Sequence, residues 1–494
     1  MPLTNLYTAS LTACVTRSKA LISAPPTVVF VFILAVLLEL EESLQRAPTI
    51  RLLENAICRQ YYEHEHSSAL PDEGMCKTEP IQIKLAHVRG LMSLFDSLPV
   101  IIFGSAFGAN ADKNGRRLAF SLAVLGSICA MIWIYFTCYF WSKVPIEVVW
   151  VSAIFRLIGG GPAIAIAMCL TMASDLSSES KTFYRVFSAV LITDLIGPGV
   201  AYGTLQHSLW LPYVVCSLSL LVTFPVILYM PETLKVSEDH ESASNLESTG
   251  ATAYLKFLRD WRIFVGLVTI FLAQFRNNTI EILLPYTSVR FGLELGQAAT
   301  LLSVVSAVNI VVFLILLPAL STQLEKRAGW SITFINISVA RVSSAFLAIG
   351  AAMLAAAPSV AFVVASLIIY AAGFGVRLSI LAVLTTYVNS SKETARLYTL
   401  VATTDAIAHM IASPLLQQVW AIALKIGRQW LVLPFLVLMG IFICSFITSC
   451  FLADSSSEAE IERSLDPAEE SLLPHNTSKN GVGTSLPYTY GECV

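Results

Sequence analysis

The chain has 494 residues, of which 55% are hydrophobic and 13% charged, with a net charge of −3 and a mean hydropathy of +0.70. That apolar excess excludes an ordinary soluble globular domain. The near-neutral charge, with basic residues scattered among loops, excludes a nucleic-acid-binding stripe.

In chain order, residues 1–21 read as a cytoplasmic tail and residues 22–230 as a first set of six membrane helices. Helix 1 spans Pro25 to Leu44; its apolar stretch runs into Glu39, Glu41 and Glu42 instead of a small-residue cleavage site, so it acts as its own insertion signal. Residues 45–84 read as an external loop in which Ile50 to Ile57 form an amphipathic segment expected to lie along the membrane surface. Cys58 and Cys76 share this loop, on a side where disulfides persist, and are expected to pair. The cysteines in apolar runs, such as Cys169 and Cys216, read as small packing hydrophobes. No CxxC or His/Cys cluster has metal spacing, so neither a metal nor a cofactor is expected.

Helix 2 (Leu85 to Ala109) and helix 3 (Leu118 to Phe140) each approach or exceed the ~20 residues a bilayer crossing takes. Between them lies Gly108-Ala109-Asn110-Ala111-Asp112-Lys113-Asn114-Gly115-Arg116-Arg117. Its basic residues place it at the cytoplasmic surface. Gly108 is expected to admit a neighbouring helix and Gly115 to permit the reversal. The spacing Gly-x-x-x-Asp-x-x-Gly-Arg-Arg resembles the signature between helices 2 and 3 of the major facilitator superfamily of secondary transporters. The resemblance implies an all-α polytopic membrane protein of about 12 transmembrane helices in two six-helix pseudo-symmetric lobes. It also implies a cytoplasmic gate formed by Gly108, Asp112, Gly115, Arg116 and Arg117, with the acidic residue engaging the opposite half in one state.

Helix 4 (Val148 to Ala173) carries Arg156 ahead of Gly159-Gly160-Gly161-Pro162, similar to a family motif implicated in proton transfer. Helix 5 (Phe183 to Leu205) carries Gly197-Pro198, similar to the core of an antiporter motif, but continues as Ala201-Tyr202 where that pattern has a glycine pair. Gly159, Gly160, Gly197 and Pro198 are therefore expected to serve helix packing. Helix 6 (Leu209 to Tyr229) ends at Pro231-Glu232-Thr233, and residues 231–260 read as a cytoplasmic linker.

Residues 261–452 give helices 7 to 12, and residues 453–494 a polar, disordered cytoplasmic tail. Thr193-Asp194 and Thr404-Asp405 hold similar places in helices 5 and 11, and Gly373-Phe374-Gly375 of helix 10 echoes the helix 4 glycines, a faint repeat of the kind two-lobed transporters show. Lys and Arg in the short loops favour both termini inside.

Ionisable side chains inside a bilayer cost at least ~2.5 kcal/mol each on insertion scales and so mark functional positions. Asp194 and Asp405 fall near the midplane, where a carboxylate can exchange a proton. His409, four residues after Asp405, shares its helical face as a candidate relay. Arg156 is placed to pair with Asp194 or Asp96, while Arg276, Glu281 and Arg377 are further membrane charges. The competing reading of this set is fixed ion pairs that hold helices together.

The expected function is proton-coupled efflux of a small hydrophobic organic compound, a drug or secondary metabolite, as in fungal members that the chain resembles. Proton-symport uptake of a nutrient or vitamin is the alternative transport direction, and a non-transporting membrane sensor the alternative of another class. An enzyme is not expected, since GxSxG and HExxH are missing. The expected partners are a small-molecule substrate, protons and the lipid bilayer, for a monomer with both termini cytoplasmic in the plasma membrane, or else a vacuolar or endosomal one.

Overall fold

The computed structural model describes residues 26–64, 72–176, 180–233, 258–388 and 391–452. The expected tails at 1–21 and 453–494 and most of the linker lie outside the described residues. All regular elements among the described residues are helical, and eleven of the helices are long and apolar enough to cross a membrane. A further helix, α1 (Pro26–His64), precedes them.

The helix α1 differs most from expectation. It does not stop at Leu44 but continues unbroken for 39 residues, with Pro48 inside it. The reason lies in the segment expected to float on the membrane. Ile50, Leu52, Leu53, Ala56 and Ile57 are all buried against protein, so the amphipathic face is matched to neighbouring helices and not to lipid headgroups. A short 3-10 segment, Glu73–Lys77, packs back on this extension. Cys58 and Cys76 form a disulfide there, with their Cα atoms 5.4 Å apart. Beside it Glu54, 1% exposed, accepts hydrogen bonds from Lys77 Nζ at 2.8 Å and Gln82 Nε2 at 2.6 Å, and pairs with Arg51 at 3.2 Å. Burial pushes the Glu54 carboxyl up from its ordinary range while Lys77 and Arg51 pull it down.

The next helix, α2 (Glu79–Asn114), starts with Pro80 in its first turn and is stopped by Gly115, whose φ of 99° suits glycine. After α3 (Arg116–Tyr139), α4 is assembled from pieces: Ile146–Val151, Ser152–Phe155, Arg156–Ile158 and Gly161–Leu176. Its break is the glycine run. Gly160 and Gly161 have φ of 82° and 67°, and Gly159 lies so close to the α3 backbone at Leu122 and Ala123 that a Cβ has no room. Then follow α5 (Ser180–His207) and α6 (Leu211–Tyr229).

In the remainder, α7 is divided at Gln274 into Trp261–Ala273 and Phe275–Phe291. Helix α8 runs Leu295–Val311, then through a π-helical stretch, Val312–Leu316, to Leu317–Ala328. Next come α9 (Ile332–Ala356), α10 (Val360–Ala372 and Val376–Thr386, joined by Gly373–Gly375), α11 (Ser391–Ile426) and α12 (Leu433–Cys450). The glycine echo is thus physical: α4 and α10 both lose regular helix beside an arginine, Arg156 and Arg377.

Two ends of the bundle can be told apart. The disulfide end holds Cys58–Cys76 with the start of α8; the turn end holds residues 108–117 and Glu232. Helices α2 and α11 pack closely, as do α5 and α8. At the disulfide end Gly90 of α2 lies where a Cβ would be 3.1 Å from Gln417 Cβ and 3.3 Å from Pro414 Cα of α11. There too His87 Nε2 is 3.2 Å from Gln418 Oε1, and Glu73 Oε1 accepts from the Leu295 backbone N–H at 2.9 Å. The first and last six helices are therefore joined at that end.

Candidate functional site

Asp194 of α5 is the point on which the interior charges converge. Arg46 of α1 donates through Nη1 to Oδ1 at 3.2 Å, and Ser306 of α8 donates to Oδ2 at 2.6 Å. Arg46 also pairs with Glu42 one turn earlier, at 3.2 Å. On α8, three residues beyond Ser306, Asn309 Oδ1 accepts from Arg276 Nη2 of α7 at 2.7 Å. Ser303 on the same face donates to the Leu195 carbonyl at 2.9 Å. Helices α1, α5, α7 and α8 thus meet in one polar seam joining the first six helices to the last six. What lets α1 come so near is Gly197, where a Cβ would collide with Ser43 and abut the Leu44 backbone. The packing glycine and the charged aspartate lie three residues apart and work as one device. Pro198 follows inside α5.

Arg156 had two prospective partners. It is bonded to Asp96 of α2, Nε to Oδ1 at 2.8 Å and Nη2 to Oδ2 at 2.9 Å, and Asp194 is left to Arg46. Asp405 of α11 receives two hydrogen bonds on one oxygen, Oδ2, from Arg377 Nε at 2.9 Å and Nη2 at 2.6 Å. Its buried Oδ1 has no hydrogen-bond partner among the described residues. His409 is on the same helix, but Nδ1 lies 3.3 Å from Asn278 Oδ1 of α7. Shared helical spacing therefore does not bring Asp405 and His409 into direct contact, because each short side chain is met first by a neighbouring helix. Glu281 of α7 accepts from Ser413 at 3.4 Å and stands 3.7 Å from Arg89 of α2, closer to the disulfide end.

The turn forms a clamp within the first six helices. Glu232 takes the Arg116 and Arg117 backbone N–H groups at 3.1 and 3.3 Å, so a carboxylate sits at the amino end of α3, where the helix dipole favours it. In return Arg117 donates to the Ile227 and Leu228 carbonyls at the end of α6, at 3.0 and 2.7 Å. Asp112 pairs with Arg116 at 2.6 Å, on its own side of the molecule. A Cβ on Gly115 would come within 2.6 Å of Glu232 Oε2. Gly108 corrects an expectation: nothing lies within 4 Å of where its Cβ would be, so no helix approaches it in this conformation. Asp112 is 58% exposed.

Sequence reasoning missed Arg46, Ser306, Asn309 and Arg89. Arg46 was assigned to a loop because the apolar run stops at Leu44. The signal was present in the i,i+4 spacing of Glu42 and Arg46 followed by apolar residues at Ile50, Leu53 and Ile57. Ser306 and Asn309 show as two polar residues three apart in an otherwise apolar run.

A bundle that is all-helical among the described residues, with most of its interior charges paired between helices, defines a polytopic membrane protein. The profile described as Major Facilitator Superfamily matches residues 86–413, and the chain belongs to that superfamily. The MFS efflux pump atnC of Emericella nidulans is 28% identical, over 84% of this chain and 85% of its own. The MFS transporter SAT21 of Stachybotrys chartarum is 27% identical, over 79% of this chain and 89% of its own. Among solved structures, a D-xylose-proton symporter matches with a TM-score of 0.60 at 14% identity, covering 87% of this chain and 98% of that one, a likeness of fold. The chain is a membrane-embedded member of the all-α transporter fold and resembles fungal efflux members.

Proposed function

We propose that the protein exports a small hydrophobic organic compound, a drug or secondary metabolite, by alternating access driven by protons. The observation that carries this reading is the pair of carboxylates deep in the bundle, each held by an arginine from another helix: Asp194 by Arg46, and Asp405 by Arg377. A proton on either carboxylate removes the charge that its arginine answers, and the ion pair loosens. At Asp194 the consequence reaches further, because Ser306 of α8 hangs on the same carboxylate. At Asp405 the unpartnered Oδ1 is the atom to which a proton adds. Asp96 and Arg156 hold the broken part of α4 against α2 and serve as a third, supporting pair.

Efflux is the direction supported by the similarity to a protein named an efflux pump and by the apolar interior. The basic loops favour a cytoplasmic turn end and both termini inside, and the plasma membrane is the membrane proposed. The polar seam supports transport over sensing, since its bonds join the helices that must part for a substrate to pass.

The test is accumulation of a labelled compound panel in cells with and without the protein, as a function of external pH, with Asp194→Asn and Asp405→Asn alongside. Proton-driven efflux lowers accumulation, and an uncoupler or either substitution abolishes the effect. Greater accumulation at acidic external pH would mean symport uptake instead. Accumulation that ignores protons and both substitutions would remove the carboxylates from the mechanism.

A further inference from the structure

The interior arginines are not alike. Arg46 faces Glu42 and Asp194, Arg89 faces Glu281, Arg156 faces Asp96 and Arg377 faces Asp405. Arg276 of α7 faces no carboxylate within ion-pair distance among the described residues. Its guanidinium donates through Nη2 to the neutral Asn309 and rests 5.2 Å over the Phe374 ring, while its Nε is buried without a hydrogen-bond partner. Asp194, bonded to Ser306 one turn before Asn309 on α8, acts on Arg276 only at longer range, so the guanidinium in the membrane interior has no carboxylate in contact with it, and a fixed positive charge with a donor left over is complementary to an anion.

The surroundings say which kind. Phe374 of α10 meets Phe313 of α8 at 6.2 Å between ring centroids, and Phe313 meets Phe187 of α5 at 4.8 Å. The three rings, each half-buried, lead from Arg276 toward the turn end and cross from the last six helices to the first. Aromatic faces and edges of this sort pack against a flat apolar body.

We infer that Arg276 is a specificity-determining residue that binds the anionic group of the substrate, and that the substrate class is an apolar aromatic organic acid whose rings lie along Phe374, Phe313 and Phe187. This rests on the transport reading above and narrows it. Asn309 holds the guanidinium fork in place from one side and leaves Nε for the ligand. Because Asn309 and Ser306 are neighbours on one face of α8, the anion and Asp194 sit on the same short stretch of helix, which puts substrate and proton in reach of each other.

The experiment measures equilibrium binding of 2-naphthoate and of its neutral counterpart 2-naphthamide to the full chain in nanodiscs, against empty nanodiscs, with no proton gradient. Wild type is expected to bind the acid about tenfold or more tightly than the amide, the size of effect a charge-assisted hydrogen bond gives. Arg276→Gln removes that preference by weakening acid binding, and Arg276→Lys keeps most of it. Asn309→Asp supplies Arg276 with a carboxylate in nearly the same shape and also removes the preference, which covers the case in which Arg276→Gln does not fold. Equal binding of acid and amide by wild type, binding of neither, or a preference that survives both Arg276→Gln and Asn309→Asp overturns the inference. Because the assay has no gradient, it stands apart from the accumulation test: failure of proton-driven efflux leaves a binding preference intact, and failure of the preference leaves efflux intact.

Discussion

Gly115 shows how narrow the tolerance is at the level of one residue. Its φ of 99° and ψ of 149° put it in a region that L side chains avoid, and the space a Cβ needs is taken by Glu232. Gly115→Ala is expected to destabilise the turn by about 1–3 kcal/mol, the cost of a strained backbone position, and to expel Glu232 from the amino end of α3. Hydrogen exchange at the Arg116 and Arg117 amides reads this directly: faster exchange in the variant is the expected outcome, and unchanged exchange would mean that Glu232 is not what protects them. The same scale explains what a sequence conceals. Asp194 is conspicuous as a lone acid in an apolar run, yet its partner Arg46 is 148 positions away. Nothing in local spacing connects them, since the contact is made by Gly197 bringing two helices together.

At the scale of elements, the runs of apolar residues announce α3, α5 and α6 to within a turn, because a bilayer demands length and hydrophobicity and little else. The extension of α1 beyond Leu44 was hidden for the complementary reason. Its outer part is buried in protein, so its pattern is that of a soluble amphipathic helix and resembles a surface-lying one. The breaks in α4 and α10 were half visible: the glycines can be read off the chain, but the loss of helix at Arg156–Ile158 follows from contact with α3. The extension is held by Glu54, whose carboxylate meets Lys77, Arg51 and Gln82. Glu54→Ala leaves Lys77 and Arg51 to share the one carboxylate of Glu73 and is expected to cost about 3 kcal/mol, the lower end of what breaking a buried pair costs. Glu54→Gln, which keeps a hydrogen-bonding side chain, should cost less. Limited proteolysis around residues 72–77 distinguishes them; equal resistance of wild type and Glu54→Ala would show that the disulfide alone holds the segment.

For the molecule as a whole, the disulfide end is the joined one. A Cβ placed on Gly90 of α2 would lie 3.1 Å from Gln417 Cβ of α11, a few tenths of an ångström short of the ~3.5–4.5 Å that a disulfide spans. The pair Gly90→Cys with Gln417→Cys is expected to cross-link under mild oxidation and to stop transport while leaving binding from the turn end intact, with brief reduction restoring activity. Full transport in the cross-linked protein would show that these two helices need not part during the cycle. How the interior charges divide between halves is legible only at this scale, since each acid and base looks alike until the helices are assembled.

The unbroken length of α1 has a mechanical consequence. This bar touches α8 at two heights: at Ser306, through Arg46 and Asp194, and at Leu295, through Glu73, which Arg51 grips at 3.0 Å. The two points are eleven residues apart on α8, about 16 Å at the usual rise. Two rivets fix an angle, whereas one permits rotation. In the proposed cycle a proton arriving at Asp194 loosens the inner rivet, leaving there the Ser303 bond to the Leu195 carbonyl, and keeps the outer one, so α8 would swing about Leu295 before it slides. The first movement of the proposed cycle is then a pivot whose axis lies at the disulfide end, and cleavage of Cys58–Cys76 would let that axis wander without touching the residue that takes the proton.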